Sequence, residues 1–149
     1  MWRELILELL PDAELGEPAG EEALAEAERA LGQPLPDDLA ALLRECDGVA
    51  GDTGEDVVWT VGRIAEDNAY FRSAPDFAEL YMSFAALMFF GDNGGGDQFA
   101  FVRTPERTDV SDVFVWDHET DGRSPVANDL TAYLRRALTD GGGDWYRND

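Results

Sequence analysis

Ala86-Leu87-Met88-Phe89-Phe90-Gly91-Asp92-Asn93-Gly94-Gly95-Gly96-Asp97-Gln98-Phe99-Ala100-Phe101-Val102 reads as two strands joined by a glycine-rich turn. Residues 86–90 are apolar without interruption, the pattern of a strand covered on both faces rather than one alternating between core and water. Residues 97–102 supply a second run of β-forming character. The glycines between them admit the positive φ angles of a tight connection, so the two runs predict an antiparallel hairpin.

Upstream of the hairpin the apolar spacing is helical. Trp2, Leu5, Ile6, Leu9 and Leu10 share one face of a short helix that Pro11 stops. Residues 20–31 are rich in alanine and glutamate, with Leu24, Ala27 and Leu31 on one side and Gly32 placed to end the helix. Leu35-Pro36-Asp37-Asp38 opens a third helix, in which Pro36 suits the first turn and both aspartates suit the positive end of the helix dipole. Leu39, Leu42, Leu43 and Cys46 form its apolar face, and Asp47-Gly48 closes it. Residues 57–61 predict a first strand and residues 64–73 a brief helix or irregular excursion, whereas residues 80–82 carry no decisive pattern.

Downstream, residues 113–116 predict another strand. Asn128-Asp129 caps a closing helix whose Leu130, Tyr133, Leu134 and Leu138 fall on one side. Helices, then strands, then a helix predict an α+β fold: mainly an antiparallel sheet, with N-terminal helices and a C-terminal helix packed on it. The length of 149 residues suits a single domain spanning 1–149. Residues 139–149, with Gly141-Gly142-Gly143 ahead of Trp145 and Tyr146, predict a mobile tail.

Thirty-two acidic residues face eleven basic ones, a formal net charge of -21, while hydrophobic residues still make up 44% of the chain. That hydrophobic share is enough for a folded core despite the charge. Phosphate binding needs basic side chains to displace condensed counterions, so the balance argues against nucleic acid and against anionic membranes as partners. It suits a cationic protein partner, and equally a plain demand for solubility. Every basic residue is an arginine, which removes Schiff-base and Walker-type lysine chemistry. Cys46 is the only cysteine, so neither an internal disulfide nor a cysteine-rich zinc site is expected. No run approaches the ~20 apolar residues of a membrane span, and the N-terminal run lacks signal-peptide character, which makes the cytoplasm the expected compartment.

Two places invite a reading as chemistry. Asp92, Asn93 and Asp97 offer hard oxygen ligands in the glycine turn, but their spacing fits neither an EF-hand nor an iterated glycine-aspartate repeat, and no lysine completes a phosphate loop. The plainer reading is a turn in which Asp92 and Asn93 bond local backbone. His118, the only histidine, stands between Asp117 and Glu119. As a general base it would need a nucleophile, and Cys46 lies on an apolar helix face where thiols pack rather than react. One histidine with scattered carboxylates also makes a poor metal centre. The expectation is therefore no catalytic residue, no metal and no cofactor.

Five separated segments occur in a telling order: Leu35-Pro36-Asp37-Asp38, Cys46-Asp47-Gly48, Phe90 through the glycine turn to Asp97, Val115-Trp116-Asp117-His118, and Val126-Ala127-Asn128-Asp129-Leu130. Together they resemble the SMI1/KNR4 (SUKH) family in its bacterial immunity-protein form, over residues 20–138. The resemblance implies a non-catalytic binder. Bacterial members are commonly immunity proteins that neutralise toxins delivered between competing cells, nucleases among them, whereas eukaryotic members serve as regulatory scaffolds in cell-wall synthesis. A cationic toxin domain is the partner this charge would suit, because an acidic surface can occupy the region a basic nuclease uses for phosphate. The expected contact zone is Asp52, Glu55 and Asp56 in one loop, Asp92, Asn93 and Asp97 in the glycine turn, and Asp117 and His118 after a strand. A small hydrolase or metal-dependent enzyme using His118 and nearby carboxylates stands as the rival.

Overall fold

The computed structural model describes residues 1–51, 54–73, 86–103 and 111–139. The expectations for residues 80–82 and for the tail beyond residue 139 lie outside the described residues, as does Asp52. In chain order the elements are α1 (Trp2–Leu9), β1 (Glu14–Leu15), α2 (Glu21–Leu31), α3 (Asp37–Glu45), β2 (Val49–Ala50), β3 (Asp56–Val58), α4 (Val61–Ser73), β4 (Leu87–Asp92), β5 (Gln98–Val102), β6 (Val113–Trp116), β7 (Arg123–Ala127) and α5 (Leu130–Thr139). The strands form two antiparallel sheets, ordered β1-β2-β3 and β4-β5-β6-β7. This is the α+β architecture that the residue pattern predicts.

α1 buries Trp2 and Ile6 against α3 and α5. Its open N-terminus is met from outside, with Glu45 accepting from the Met1 ammonium at 3.0 Å and the Arg3 N–H at 2.9 Å. α2 ends at Gly32, whose φ of +69° lets its N–H return to the Glu28 carbonyl at 2.9 Å. α3 begins one step later than Pro36 alone suggests: Pro36 is the capping residue, and Asp37 and Asp38 occupy the first turn.

Residues 57–61 are not one strand. β3 stops at Val58 because Asp47 Oδ1 accepts the Val61 N–H at 2.7 Å, a cap that starts a helix there. Of the two expectations for residues 64–73, a brief helix or an irregular excursion, the helix is found, as the body of α4. On α4, Asn68 is buried where an apolar residue would usually stand, and its amide pairs with the main chain of β4. It accepts from the Phe89 N–H at 2.7 Å and donates to the Phe89 carbonyl at 2.8 Å. One residue on, the Phe90 carbonyl accepts from the Trp59 N–H at 2.7 Å. The edge of β4 away from β5 is thereby covered by α4 and by the end of β3.

The two sheets meet at this seam. A bulge between Phe89 and Gly91 shifts the β4–β5 register. Gly91 sits so close to β3 that an added Cβ would stand 2.1 Å from the Val57 carbonyl. That carbonyl also accepts from the buried Tyr133 hydroxyl of α5 at 2.6 Å. Phe90 stacks on Phe101 with ring centres 4.7 Å apart and meets Tyr133 edge-on at 5.1 Å, while Phe89 meets Phe71 of α4 at 5.4 Å. β4 is thus packed on both faces, which accounts for its unbroken apolar run.

Candidate functional site

The glycine turn is built from its own side chains. Asp92 Oδ1 accepts the Gly94 N–H at 2.8 Å, and Asn93 Oδ1 accepts those of Gly95 at 2.8 Å and Asp97 at 3.2 Å. Gly94 and Gly96 hold φ angles of +84° and +115°, which side-chain-bearing residues rarely adopt. Each end of the turn is then tied down by one aspartate.

At the leading end, Asp92 Oδ2 accepts from Trp59 Nε1 at 2.8 Å and pairs with Arg63 at 3.3 Å. Arg63 also pairs with Asp56 at 2.9 Å and Asp67 at 3.0 Å, and its guanidinium lies 4.1 Å from the centre of the Trp59 ring. Glu55 lies over Gly51 and beside Gly94, which brings the loop before β3 against the turn. The structure therefore gathers Glu55, Asp56, Asp92 and Asn93 into one patch.

At the trailing end, the wholly buried Asp97 accepts from the His118 main-chain N–H at 3.1 Å, and its Oδ1 lies 2.5 Å from His118 Nδ1. The imidazole is held above its ordinary value of 6.5, chiefly by this hydrogen bond, with the charges of Asp97, Glu119 and Asp117 adding to it and desolvation opposing. A Cβ on Gly96 would stand 2.9 Å from three atoms of the ring, so the glycine makes room for it. Asp117 lies beside the pair and accepts the Glu119 N–H at 2.9 Å. One ligand atom from each of Asp97, Asp117 and His118 falls within 4.8 Å of the others, a geometry that oxygen- and imidazole-binding cations accept. The β6–β7 turn that carries His118 is braced by Asp121, which holds φ +61° and accepts from Trp116 Nε1 at 2.7 Å and from Arg123 at 3.0 Å.

The expected contact residues that are described thus fall into two adjoining groups on one turn. Asp97 belongs to the second as a buried brace for His118 and adds no exposed carboxylate. Arg63, Asp67 and the indole of Trp59 escaped the sequence reading. The one signal was a basic residue among acids, Arg63-Ile64-Ala65-Glu66-Asp67, whose ends are four apart and so share a helix face. Cys46 is fully buried and its thiol is pushed up to about 11, first by desolvation, which fits packing rather than nucleophilic attack.

No curated protein matches the chain. The sequence pattern of the SMI1 / KNR4 family (SUKH-1) matches residues 18–136. That span runs from the approach to α2 into α5 and includes all five segments singled out above, together with both anchors of the glycine turn. No helix among the described residues is long and apolar enough to cross a membrane. With four-fifths of its length covered by the match, the chain belongs to the SMI1/KNR4 family (SUKH-1).

Proposed function

We propose that this chain acts without catalysis, as an immunity protein that binds and neutralises a basic toxin domain in the cytoplasm. The observation that carries the reading is the net charge of -21 together with carboxylates fixed in place around the glycine turn. A charge excess held on a rigid frame needs no reorganisation when a cationic surface arrives, and complementary fields raise association rates by roughly 10- to 1,000-fold at low salt. Speed of capture is what an antidote requires. Asp52, Glu55, Asp56, Asp92, Asn93, Asp117 and His118 form the proposed contact zone, with Asp97 fixing His118 from below.

The test starts from the neighbouring coding sequence, which on this reading encodes a secreted protein with a basic C-terminal domain. That domain alone should arrest growth, and co-expression of the chain should restore it through a stoichiometric complex. Association should slow by at least about tenfold between low and physiological salt. Growth arrest that the chain leaves untouched, with no complex formed, would sink the proposal.

One observation favours the rival enzyme reading: a histidine backed by a buried aspartate, with a second carboxylate near. His118→Ala separates the two. An enzyme would lose its turnover, whereas the binder keeps its protective effect with a modest loss of affinity.

A further inference from the structure

Beside Arg63, the three-stranded sheet and the first turn of α4 enclose a cleft of about 320 Å³. Part of its lining is main chain. Gly16 packs so closely on the loop after α3 that a Cβ would stand 2.2 Å from the Asp47 carbonyl, and Gly48 holds φ +104°. A side chain at Gly48 would be strained there and would press on Thr60, another lining residue, at 3.2 Å. Glu14, Asp47 and Asp56 line it, and Arg63 is the one cation among the described lining residues.

Arg63 is already engaged by Asp56, Asp67 and Asp92, so the cleft retains net negative charge. Asp47 gives one oxygen to the Val61 N–H, and Asp56 gives one to Arg63. Each keeps a second carboxylate oxygen, and Glu14 is exposed to solvent. A volume near the lower bound of small-molecule pockets, roughly 300 Å³, suits one long side chain rather than a bulky ligand.

We propose that this cleft receives a single arginine side chain of the protein partner. A planar guanidinium offers forked donors to several carboxylates at once, which an ammonium cannot match. The resident Arg63, held over an indole by three carboxylates, shows that this corner already supports such a group. An anionic ligand would meet Glu14, Asp47 and Asp56 before it reached the occupied guanidinium. The inference rests on the binding-protein reading, because the arginine belongs to the partner.

The test is a titration of the full chain with N-acetyl-arginine methylamide, followed by amide NMR at low salt, with N-acetyl-norleucine methylamide as the uncharged control. Shifts confined to residues 14–16, 47–50 and 56–63, absent with norleucine, are expected. A Glu14→Gln/Asp56→Asn variant should bind about tenfold more weakly, in line with up to ~1 kcal/mol for each exposed charge. Glu22→Gln/Glu26→Gln, which removes two exposed acids of α2 outside the cleft, should change binding less than about twofold. Shifts scattered over the acidic surface, or equal losses in both variants, would overturn the cleft. Growth rescue by the chain is a separate readout, so scattered shifts beside intact rescue would sink this inference alone.

Discussion

The two ends of the glycine turn are each anchored by an aspartate that meets a cationic side chain, and the two aspartates differ in burial. At the leading end Asp92, 14% exposed, is met by Arg63, whose side chain is 37% exposed and shared among three carboxylates. At the trailing end Asp97, 1% exposed, is met by His118, whose side chain is 38% exposed. An arginine does not titrate in the range where proteins are folded, and an exposed network is screened by salt. At the trailing end the histidine partner answers to pH. One anchor is therefore sensitive to ionic strength and the other to protons.

The largest effect is expected from cutting the buried anchor. Asp97→Ala removes the buried acceptor of the His118 N–H and ring, and should cost about 2–3 kcal/mol in urea unfolding. Asp97→Asn should recover part of that, since its amide oxygen still accepts the main-chain N–H. Asp92→Ala, at the less buried end, should cost less, about 1–2 kcal/mol, because this carboxylate is 14% exposed and water reaches part of the space it leaves. Equal losses at the two ends would break the contrast.

A middle-sized effect should appear with pH. His118 has a folded-state value raised above its ordinary 6.5, so its pair with Asp97 contributes stability that is fully present below that pH. The contribution is lost as pH rises through the raised folded value. As pH rises from 6.5 through that raised value, the urea midpoint should therefore fall more steeply in the native chain than in His118→Gln, whereas Arg63→Met should retain the native slope. A slope unchanged in His118→Gln would remove the proton sensitivity from this end.

The contrast was only half legible in the residue order. The hairpin could be read because β4 is covered on both faces and so carries no polar residue before its turn. α1, α2, α3 and α5 bury clear stripes and were equally plain. β1 and β2 are two residues each, too short for any period to register. β7 contains Pro125 and has no fully buried residue, which an outer strand tolerates but which reads as loop. α4 was obscured because Asn68 takes a buried position to bond the Phe89 main chain, a role set by a strand more than twenty residues away. The same limit applies to the anchors: Asp92 and Asp97 look alike in sequence, and only the approach of His118, in the turn after β6, to Asp97 and of Arg63 to Trp59 makes them different.

The smallest effect belongs to the exposed anchor and is the most exacting test of the comparison. Arg63→Met keeps an apolar stem beside Trp59 but removes the charge from three carboxylates. The expected loss is below about 1 kcal/mol, because exposed pairs exchange their partners for water at little net cost. That loss should shrink further in about 1 M salt, where the Debye length falls to about 3 Å and the repulsion among Asp56, Asp67 and Asp92 is screened. Trp59 emission should change in the variant, since the ring loses the cation 4.1 Å from its centre while keeping its hydrogen bond to Asp92. A loss that persisted at high salt would mean that Arg63 acts through packing, and the leading end would then be a second buried brace like the trailing one.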